Sequence, residues 1–486
     1  MADILIVLPY SGTGFGGGLA VLNQKLTRAL AQQGHKVRLL TMQLPEKISA
    51  NPDEHWPAQI ITIQNKETAG MVGAGGADGE KQRDRLYELF NMEETLLSSY
   101  DIGNKPILDA IRCDGFEPGI IIGHSRFSGP AALLLKQRVF QRAKVEYFLH
   151  SFPVEGSALT GYEAYEMKVD AELAKQKFEM EKKWMPRADV VVAMGPLIRA
   201  GAMLILGEAT VKGARVHEAI PGIELTRQEP VTYAPRKVPR LLFCGRASAP
   251  IKGLEDLLLA VRMLYDSGVP VEVDVLWWEQ VTYGNDRKAS GQDPRVVDVA
   301  AAQKWVDEML NIKNKKQELR VVTVLGKART SEEVVNAYRT HDAVLMPSYI
   351  EHFGLVPFEA AGHEVPVLVN KVSGSGMFLA DRSRFGEVGE MCVVKDFGGS
   401  MQDPRDFLVN VKPDAFDQRP AAWAFAIQAL VKDLPGRFRN AVALRDMLAN
   451  YTYDHFAAAV VAVADAKWNG KNTYQGPGGQ VVEAGR

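Results

Sequence analysis

Short runs of branched apolar residues, each followed by a longer amphipathic stretch, recur along this chain. Ile4 to Leu8 precedes a helix-like pattern over Leu19 to Gln33, and Lys36 to Thr41, Gly119 to Ile122, Val145 to Leu149 and Val190 to Ala193 continue the series. Continuous Val/Ile/Leu runs of this length are buried on both faces, as parallel strands covered by helices are. The rhythm restarts with Arg240 to Cys244, a helix over Gly253 to Asp266, Val271 to Leu276, Arg320 to Leu325, a helix over Ser331 to Arg339, Ala343 to Met346 and Val365 to Val369. The fold class is therefore α/β, with two doubly wound, Rossmann-like domains.

Between the two series, Ile220 to Pro239 carries Pro221, Pro230, Pro235 and Pro239 and no apolar period, as an interdomain linker does. The expected organisation is an N-terminal domain over 1–222, a linker over 223–239 and a C-terminal domain over 240–450. Ala69 to Gly79, with five glycines, reads as a mobile loop, and 469–486 as a polar, Gly-rich, disordered tail. Glu279 to Gln317 is a polar connection with a helix-like middle around Val296 to Leu310.

Composition removes several classes. Of 486 residues, 46% are hydrophobic and 24% charged, values that exclude collagen-like, disulfide-scaffold and wholly disordered chains. The net charge of -2 leaves no global basic field for nucleic acid or an anionic membrane. Three cysteines, Cys113, Cys244 and Cys392, form no CxxC pair, and His341, His352 and His363 are too widely spaced for one ligand face, so no metal is expected. No signal peptide and no apolar run long enough to span a bilayer are visible; the expected location is the cytoplasm, with peripheral membrane contact left open.

Candidate chemistry begins after the first strand, in Ser11-Gly12-Thr13-Gly14-Phe15-Gly16-Gly17-Gly18. Gly12, Gly14 and Gly17 satisfy the spacing of a dinucleotide fingerprint, but the second strand ends Leu40-Thr41-Met42-Gln43, without the acid that binds ribose. The loop fits close approach to an anion or polyol, or merely a tight turn.

In the second series, the strand ending at Gly245-Arg246 is followed by Lys252-Gly253 opening a helix. Arg and Lys at a strand end suit a diphosphate, one as a fork of donors and one as a point charge. Further on stands Glu351-His352-Phe353-Gly354-Leu355-Val356-Pro357-Phe358-Glu359. Pro357 suits a first helical turn, so Glu351 is placed in the loop and Glu359 in the early helix, two acceptors for vicinal hydroxyls. Ser373-Gly374-Ser375-Gly376, after the next strand, reads as a turn offering backbone N–H groups to an anion.

This ordered set resembles the donor site of the retaining GT-B glycosyltransferases of family GT4, the group that includes glycogen synthase and sucrose synthase. His150 after a strand, Ala188-Asp189-Val190-Val191, Ile220-Pro221-Gly222 and Pro347-Ser348 extend the likeness from residue 4 to about 465. The resemblance implies two domains facing across a cleft, with a helix over 451–468 crossing back to the first. It implies that Arg246 and Lys252 hold the diphosphate of a nucleotide sugar, with Glu351 at the transferred sugar and Glu359 at the ribose. Gly354, Leu355 and Val356 belong to the same donor site, and Gly374, Ser375 and Gly376 offer N–H groups to phosphate and sugar. Lys327, Ala328 and Arg329 are implied beside the base, Gly16, Gly17 and Gly18 close on the donor from the other domain, and His150 lies near the sugar.

The implied co-substrate is a UDP-, GDP- or ADP-linked sugar, used without a metal, and the acceptor a small molecule or glycan. Three features depart from the family pattern and bear on sugar identity. His352 replaces a small residue, the 373–378 segment lacks Gly-Gly followed by Glu, and Gly362-His363-Glu364-Val365-Pro366 has one residue more than usual. A phosphorylase or disaccharide synthase of the same fold, a nicotinamide-dependent oxidoreductase and a non-catalytic sugar-binding homologue remain as alternatives. His124 reads equally as a cleft residue or a structural histidine.

Overall fold

A computed structural model describes residues 1–9, 13–42, 58–64, 85–101, 103–151, 171–211, 215–225, 236–245, 252–277, 299–310, 321–326, 331–348, 351–394, 418–465, 473–475 and 481–483. The chain divides into two compact units. The first comprises Met1–Glu155, Asp170–Gly222 and Tyr451–Arg486, the second Gly156–Val169 and Ile223–Asn450.

In the first unit the strands are β1 (Asp3–Val7), β2 (Lys36–Thr41), β3 (Gln59–Thr62), β4 (Ile120–His124), β5 (Lys144–Leu149), β6 (Val190–Met194) and β7 (Arg215–Ala219), of which β3 and β7 were not among the apolar runs. They form one sheet in the order β3-β2-β1-β4-β5-β6-β7, with all pairings parallel. Ile4, Leu5, Ile6 and Val7 are fully buried, as a strand covered on both faces requires. The helices Thr13–Gln32 and Tyr453–Asp465 supply part of that cover: Leu22, Leu26 and Leu30 share a core with Phe456, Ala457 and Val460. The second of these helices begins against the chain after the last strand of this sheet, where Gly222 leaves no room for a side chain, since a Cβ there would stand 2.4 Å from the ring of Tyr453.

In the second unit β8 (Arg240–Gly245), β9 (Glu272–Trp277), β10 (Val322–Gly326), β11 (Ala343–Met346), β12 (Val367–Asn370) and β13 (Val393–Val394) pair in the order β10-β9-β8-β11-β12-β13, again all parallel. The helices Leu254–Asp266 and Arg419–Lys432 pack through Leu257, Leu258 and Val261 against Trp423, Ile427 and Leu430. Each such side chain contributes about 1.5–3 kcal/mol by leaving water.

Both sheets reverse direction once, between β1 and β4 in the first unit and between β8 and β11 in the second. Ligands in such sheets bind beyond the carboxyl ends of the strands that flank the reversal. Those ends carry the candidate residues.

Three expectations are corrected. The Gly-rich stretch, read as a loop, lies mostly inside the helix Thr13–Gln32, which begins six residues before the predicted start at Leu19. Each glycine costs about 1 kcal/mol in a helix, which is why the sequence pattern alone favours a loop. The segment Ser373 to Gly376 is not a free turn: Ser373 caps the helix Gly374–Leu379, its hydroxyl accepting from the Gly376 N–H at 3.0 Å. In the tail, β14 (Thr473–Gln475) and β15 (Val481–Glu483) pair antiparallel where disorder was expected, the β-favouring Thr473, Tyr474, Val481 and Val482 outweighing the glycines around them. Ala69 to Gly79 lies outside the described residues.

Candidate functional site

Lys252 and Glu351 meet in the second unit. Lys252 follows β8 and Glu351 follows β11, the two strands at the reversal, and the Lys252 Nζ donates to Glu351 Oε2, with both side chains about four-fifths buried. Gly253, next to Lys252, adopts φ +72 and caps the helix Leu254–Asp266; a Cβ there would stand 2.3 Å from the Pro347 carbonyl oxygen. Only glycine lets the chain at position 253 come this close to Pro347, just beyond β11.

The loop that carries Glu351 is held from three sides. Asn370, fully buried at the end of β12, donates to the carbonyls of Pro347 at 2.7 Å and Ser348 at 2.9 Å, and its own Oδ1 accepts from the Trp423 indole at 3.0 Å. Phe353 stacks on Phe358 with ring centroids 4.8 Å apart, and Phe378 packs on both. The Glu351 carbonyl accepts from the Gly374 N–H at 2.8 Å. Gly354, at φ +75, completes the turn beneath the Glu351 side chain, where a Cβ would stand 2.6 Å from Glu351 Cγ.

Glu359 lies in the helix Val356–Gly362, with Pro357 in its first turn as the sequence pattern requires. Its Oε2 accepts at 3.0 Å from the hydroxyl of Tyr338, a side chain fully buried in the helix Ser331–Arg339. Burial first, and the Glu359 charge second, hold the Tyr338 phenol well above its usual pKa, so it remains a donor.

The small-residue segment offers less than expected. The Gly374 N–H is taken by Glu351 and the Gly376 N–H by Ser373. Among the described residues, Ser375 alone of the three keeps its N–H without an internal acceptor. The glycines serve close packing: a Cβ at Gly374 would stand 1.8 Å from the His352 carbonyl oxygen, and one at Gly376 1.9 Å from that of Asn370. The extra residue before Pro366 is absorbed by Glu364 at φ +62, with Arg445 Nη1 3.6 Å from its carboxylate.

In the first unit, His124 ends β4 and His150 follows the adjacent β5, and His124 Nδ1 lies 2.8 Å from His150 Nε2. Burial holds His124 well below the usual imidazole pKa and lowers His150 to about 3, so both rings are neutral. The helix Ser125–Arg138 that follows contains Pro130, which cannot donate to the Arg126 carbonyl. Asn91 fills the gap, donating to the carbonyls of Arg126 at 3.1 Å and Phe127 at 3.2 Å and accepting from the Ala131 N–H at 3.0 Å. At the helix start the buried Glu181 carboxylate accepts from the Arg126 N–H at 2.9 Å and from the Tyr147 hydroxyl at 2.5 Å.

Of the sequence-predicted residues, the second unit brings together Lys252, Glu351, Gly354, Leu355, Val356, Glu359, Gly374, Ser375 and Gly376. Gly16, Gly17, Gly18 and His150 stand in the first unit; Arg246, Lys327, Ala328 and Arg329 lie outside the described residues. Sequence reasoning missed Tyr338, Asn370 and Asn91. The signals available were a polar residue closing the apolar run Val367-Leu368-Val369 and a proline inside a helix that needs a substitute partner. Among the described residues no three His, Cys, Asp or Glu side chains converge as a metal site, and no helix is long and apolar enough to cross a membrane.

Comparison with known proteins extends these observations. The chain is 23% identical over 459 residues to a D-inositol 3-phosphate glycosyltransferase of Corynebacterium diphtheriae, covering 92% of this chain and 89% of that protein. It superposes on a sucrose-phosphate synthase from Thermosynechococcus elongatus with a TM-score of 0.61 and 19% identity, covering 94% and 97% of the two chains. It superposes likewise on a UDP-forming trehalose-phosphate synthase from Burkholderia xenovorans with a TM-score of 0.58 and 12% identity, covering 96% and 99%. These neighbours share the two-sheet GT-B fold expected from the sequence. The model of family 4 glycosyltransferases in conflict systems matches residues 12–460, running through both units, and the chain thereby belongs to that family and is a glycosyltransferase.

Proposed function

We propose that this enzyme moves a sugar from a nucleoside-diphosphate sugar to an acceptor hydroxyl with retention of the anomeric configuration, and that its second unit holds the donor. The observation that carries this reading is the Lys252–Glu351 contact, a cation and an anion side by side at the strand ends flanking the reversal of the sheet. In the transfer, the bond from the anomeric carbon to the diphosphate oxygen breaks and the acceptor oxygen bonds to the same carbon. The acceptor proton passes to an oxygen of the departing diphosphate.

Negative charge grows on the diphosphate as that bond breaks, and Lys252 with Arg246 stabilises it. Glu351 contacts the transferred sugar, Glu359 the ribose, and Ser375 donates its N–H to phosphate, with Gly354, Leu355, Val356, Gly374 and Gly376 permitting close approach. Lys327 to Arg329 lie by the base, and Gly16 to Gly18 with His150 act from the first unit. Neither carboxylate is a nucleophile: Glu351 is paired with Lys252 and Glu359 with Tyr338, unlike the two working carboxyls of a retaining glycosidase. Relatives and structural neighbours named for inositol 3-phosphate, sucrose-phosphate and trehalose-phosphate support a small polyhydroxy acceptor, and relatives named glycogen synthase support a glycan.

The test is a thermal-shift and donor-hydrolysis screen against UDP, GDP and ADP and their sugars, with Lys252→Ala and Glu351→Ala beside the wild type. Stabilisation by one nucleoside diphosphate, with slow hydrolysis of its sugar lost in both variants, is the expected result. Silence toward every nucleotide, with turnover dependent on free phosphate, would overturn the reading in favour of a phosphorylase.

A further inference from the structure

We infer that His124 is a positioning residue that fixes His150 in the tautomer carrying its proton on Nδ1, so that His150 offers an N–H donor to the transferred sugar. The inference rests on the proposed place of His150 at the donor.

The geometry allows two proton arrangements in the 2.8 Å contact between His124 Nδ1 and His150 Nε2. If His150 donated, His124 would carry its proton on Nε2. That atom is buried and has no hydrogen-bond partner among the described residues, which would leave an orphaned N–H. If His124 donates from Nδ1, its Nε2 is a bare acceptor. Orphaned buried N–H groups are the rarer and costlier of the two, so His124 is the donor. His150 then holds its proton on Nδ1, an atom that takes no hydrogen bond among the described residues, on a side chain that is only partly buried.

The surroundings hold this arrangement rigidly. The His124 ring stands edge-on to Phe148 with centroids 5.4 Å apart. The His124 N–H donates to the Ser128 hydroxyl at 3.0 Å, which donates in turn to the Val7 carbonyl at 2.5 Å. Ser125 adopts φ +43, a conformation unfavourable for a residue with a side chain. From there its hydroxyl donates to the Phe148 carbonyl at 3.3 Å and accepts from the His150 N–H at 3.4 Å. Consecutive residues thus hold the ring and the main chain of His150, one through a strained backbone. Strain of this kind persists where the surrounding structure over-determines it, commonly at working sites. A phenylalanine at 124 would fill the same space without burying an unpartnered nitrogen, so packing alone does not account for the histidine.

The experiment is long-range proton–nitrogen correlation NMR of the full-length protein labelled with ring-15N histidine, with His124→Phe, His124→Asn and His150→Ala for assignment. The expected result is Nδ1–H for His150 in the wild type at pH 7.5, reversion to Nε2–H in His124→Phe, and retention in His124→Asn, whose amide can still donate. Hydrolysis of whichever nucleoside-diphosphate sugar the wild type turns over is expected to fall about tenfold or more in kcat in His124→Phe, with recovery in His124→Asn. An Nε2–H wild type, or an unchanged tautomer in His124→Phe, would overturn the positioning role without any reference to the donor. Unchanged donor turnover in His150→Ala would instead overturn the placement of His150 at the sugar, whatever its tautomer.

Discussion

Lys252 and Glu351 stand 99 residues apart in the sequence and share one ion pair in the fold. Each is the other's neutralising partner. Removing one partner exposes the other, so single and double substitutions are not additive. Lys252→Ala is expected to lower kcat/KM about 100-fold to 1000-fold, the scale of one lost electrostatic contact to a developing oxyanion. The double variant Lys252→Ala with Glu351→Gln is expected to lose less than the product of the two single effects. Steady-state kinetics of the four proteins in the cycle checks this, and strict additivity would show that the pair does not act as a unit.

Gly374→Ala places a methyl group 1.8 Å from the His352 carbonyl oxygen, a backbone atom that cannot swing aside. The loop bearing Glu351 must move, and a loss of about 2–4 kcal/mol is expected. Thermal or urea unfolding measures it; a wild-type midpoint would mean that the loop is not packed as described.

Tyr338→Phe removes one hydroxyl from a side chain that otherwise packs unchanged. Glu359 loses the donor that aims it, and nucleoside-diphosphate affinity is expected to fall about 3-fold to 10-fold, roughly the net worth of one ordinary hydrogen bond. Isothermal titration reads the affinity, while an unchanged melting temperature would separate this effect from general destabilisation.

Asn91→Ala strips the helix Ser125–Arg138 of the partner that bridges Pro130. Carbonyls and an N–H are left unmet in a partly buried place, and about 2 kcal/mol of stability is expected to be lost. Urea denaturation gives the value, and hydrogen exchange at the start of that helix locates it.

Acid acts on the first unit through its histidines. His124 is held well below the usual value by burial and then by His150, His150 is lowered to about 3 by burial, and His217 to about 4 by burial and Arg199. These folded-state values lie below the ordinary 6.5, so between 6.5 and about 4 the unfolded chain binds more protons than the folded one. Stability is therefore full above pH 6.5 and falls with acidification, by up to about 1.4 kcal/mol per pH unit for each histidine. Amide exchange across β4 to β7 at pH 7.5, 6.5 and 5.5 follows the loss. Equal protection at all three values would show that these rings are not held neutral.

What the sequence disclosed follows burial. Central strands such as Ile4 to Val7 and Ala343 to Met346 read as unbroken apolar runs because both faces are covered. The strands it did not disclose, β3, β7 and β13, are three of the four at sheet edges, where Gln59, Arg215 and a two-residue length dilute the pattern, while the fourth, β10, kept its apolar run. Glu351 and Glu359 were legible because their spacing is local and Pro357 marks the turn between them. His124 was not, because its meaning lies in a partner 26 residues further on and one strand across. Tyr338 was hidden in the same way, a buried polar residue whose only signal is a contact the linear order does not contain, whereas Asn370 left a faint mark as the polar residue closing an apolar run.

The helix Tyr453–Asp465 completes the core of the first unit, yet it is made only after residues 223–450 of the second. A ribosome that has released residues 1–222 has delivered the whole seven-stranded sheet and left one of its faces without part of its cover. Leu22, Leu26 and Leu30 then lack their partners Phe456, Ala457 and Val460 until residues 223–450 of the second unit have been made. The half of this enzyme that is synthesised first is the half that is finished last.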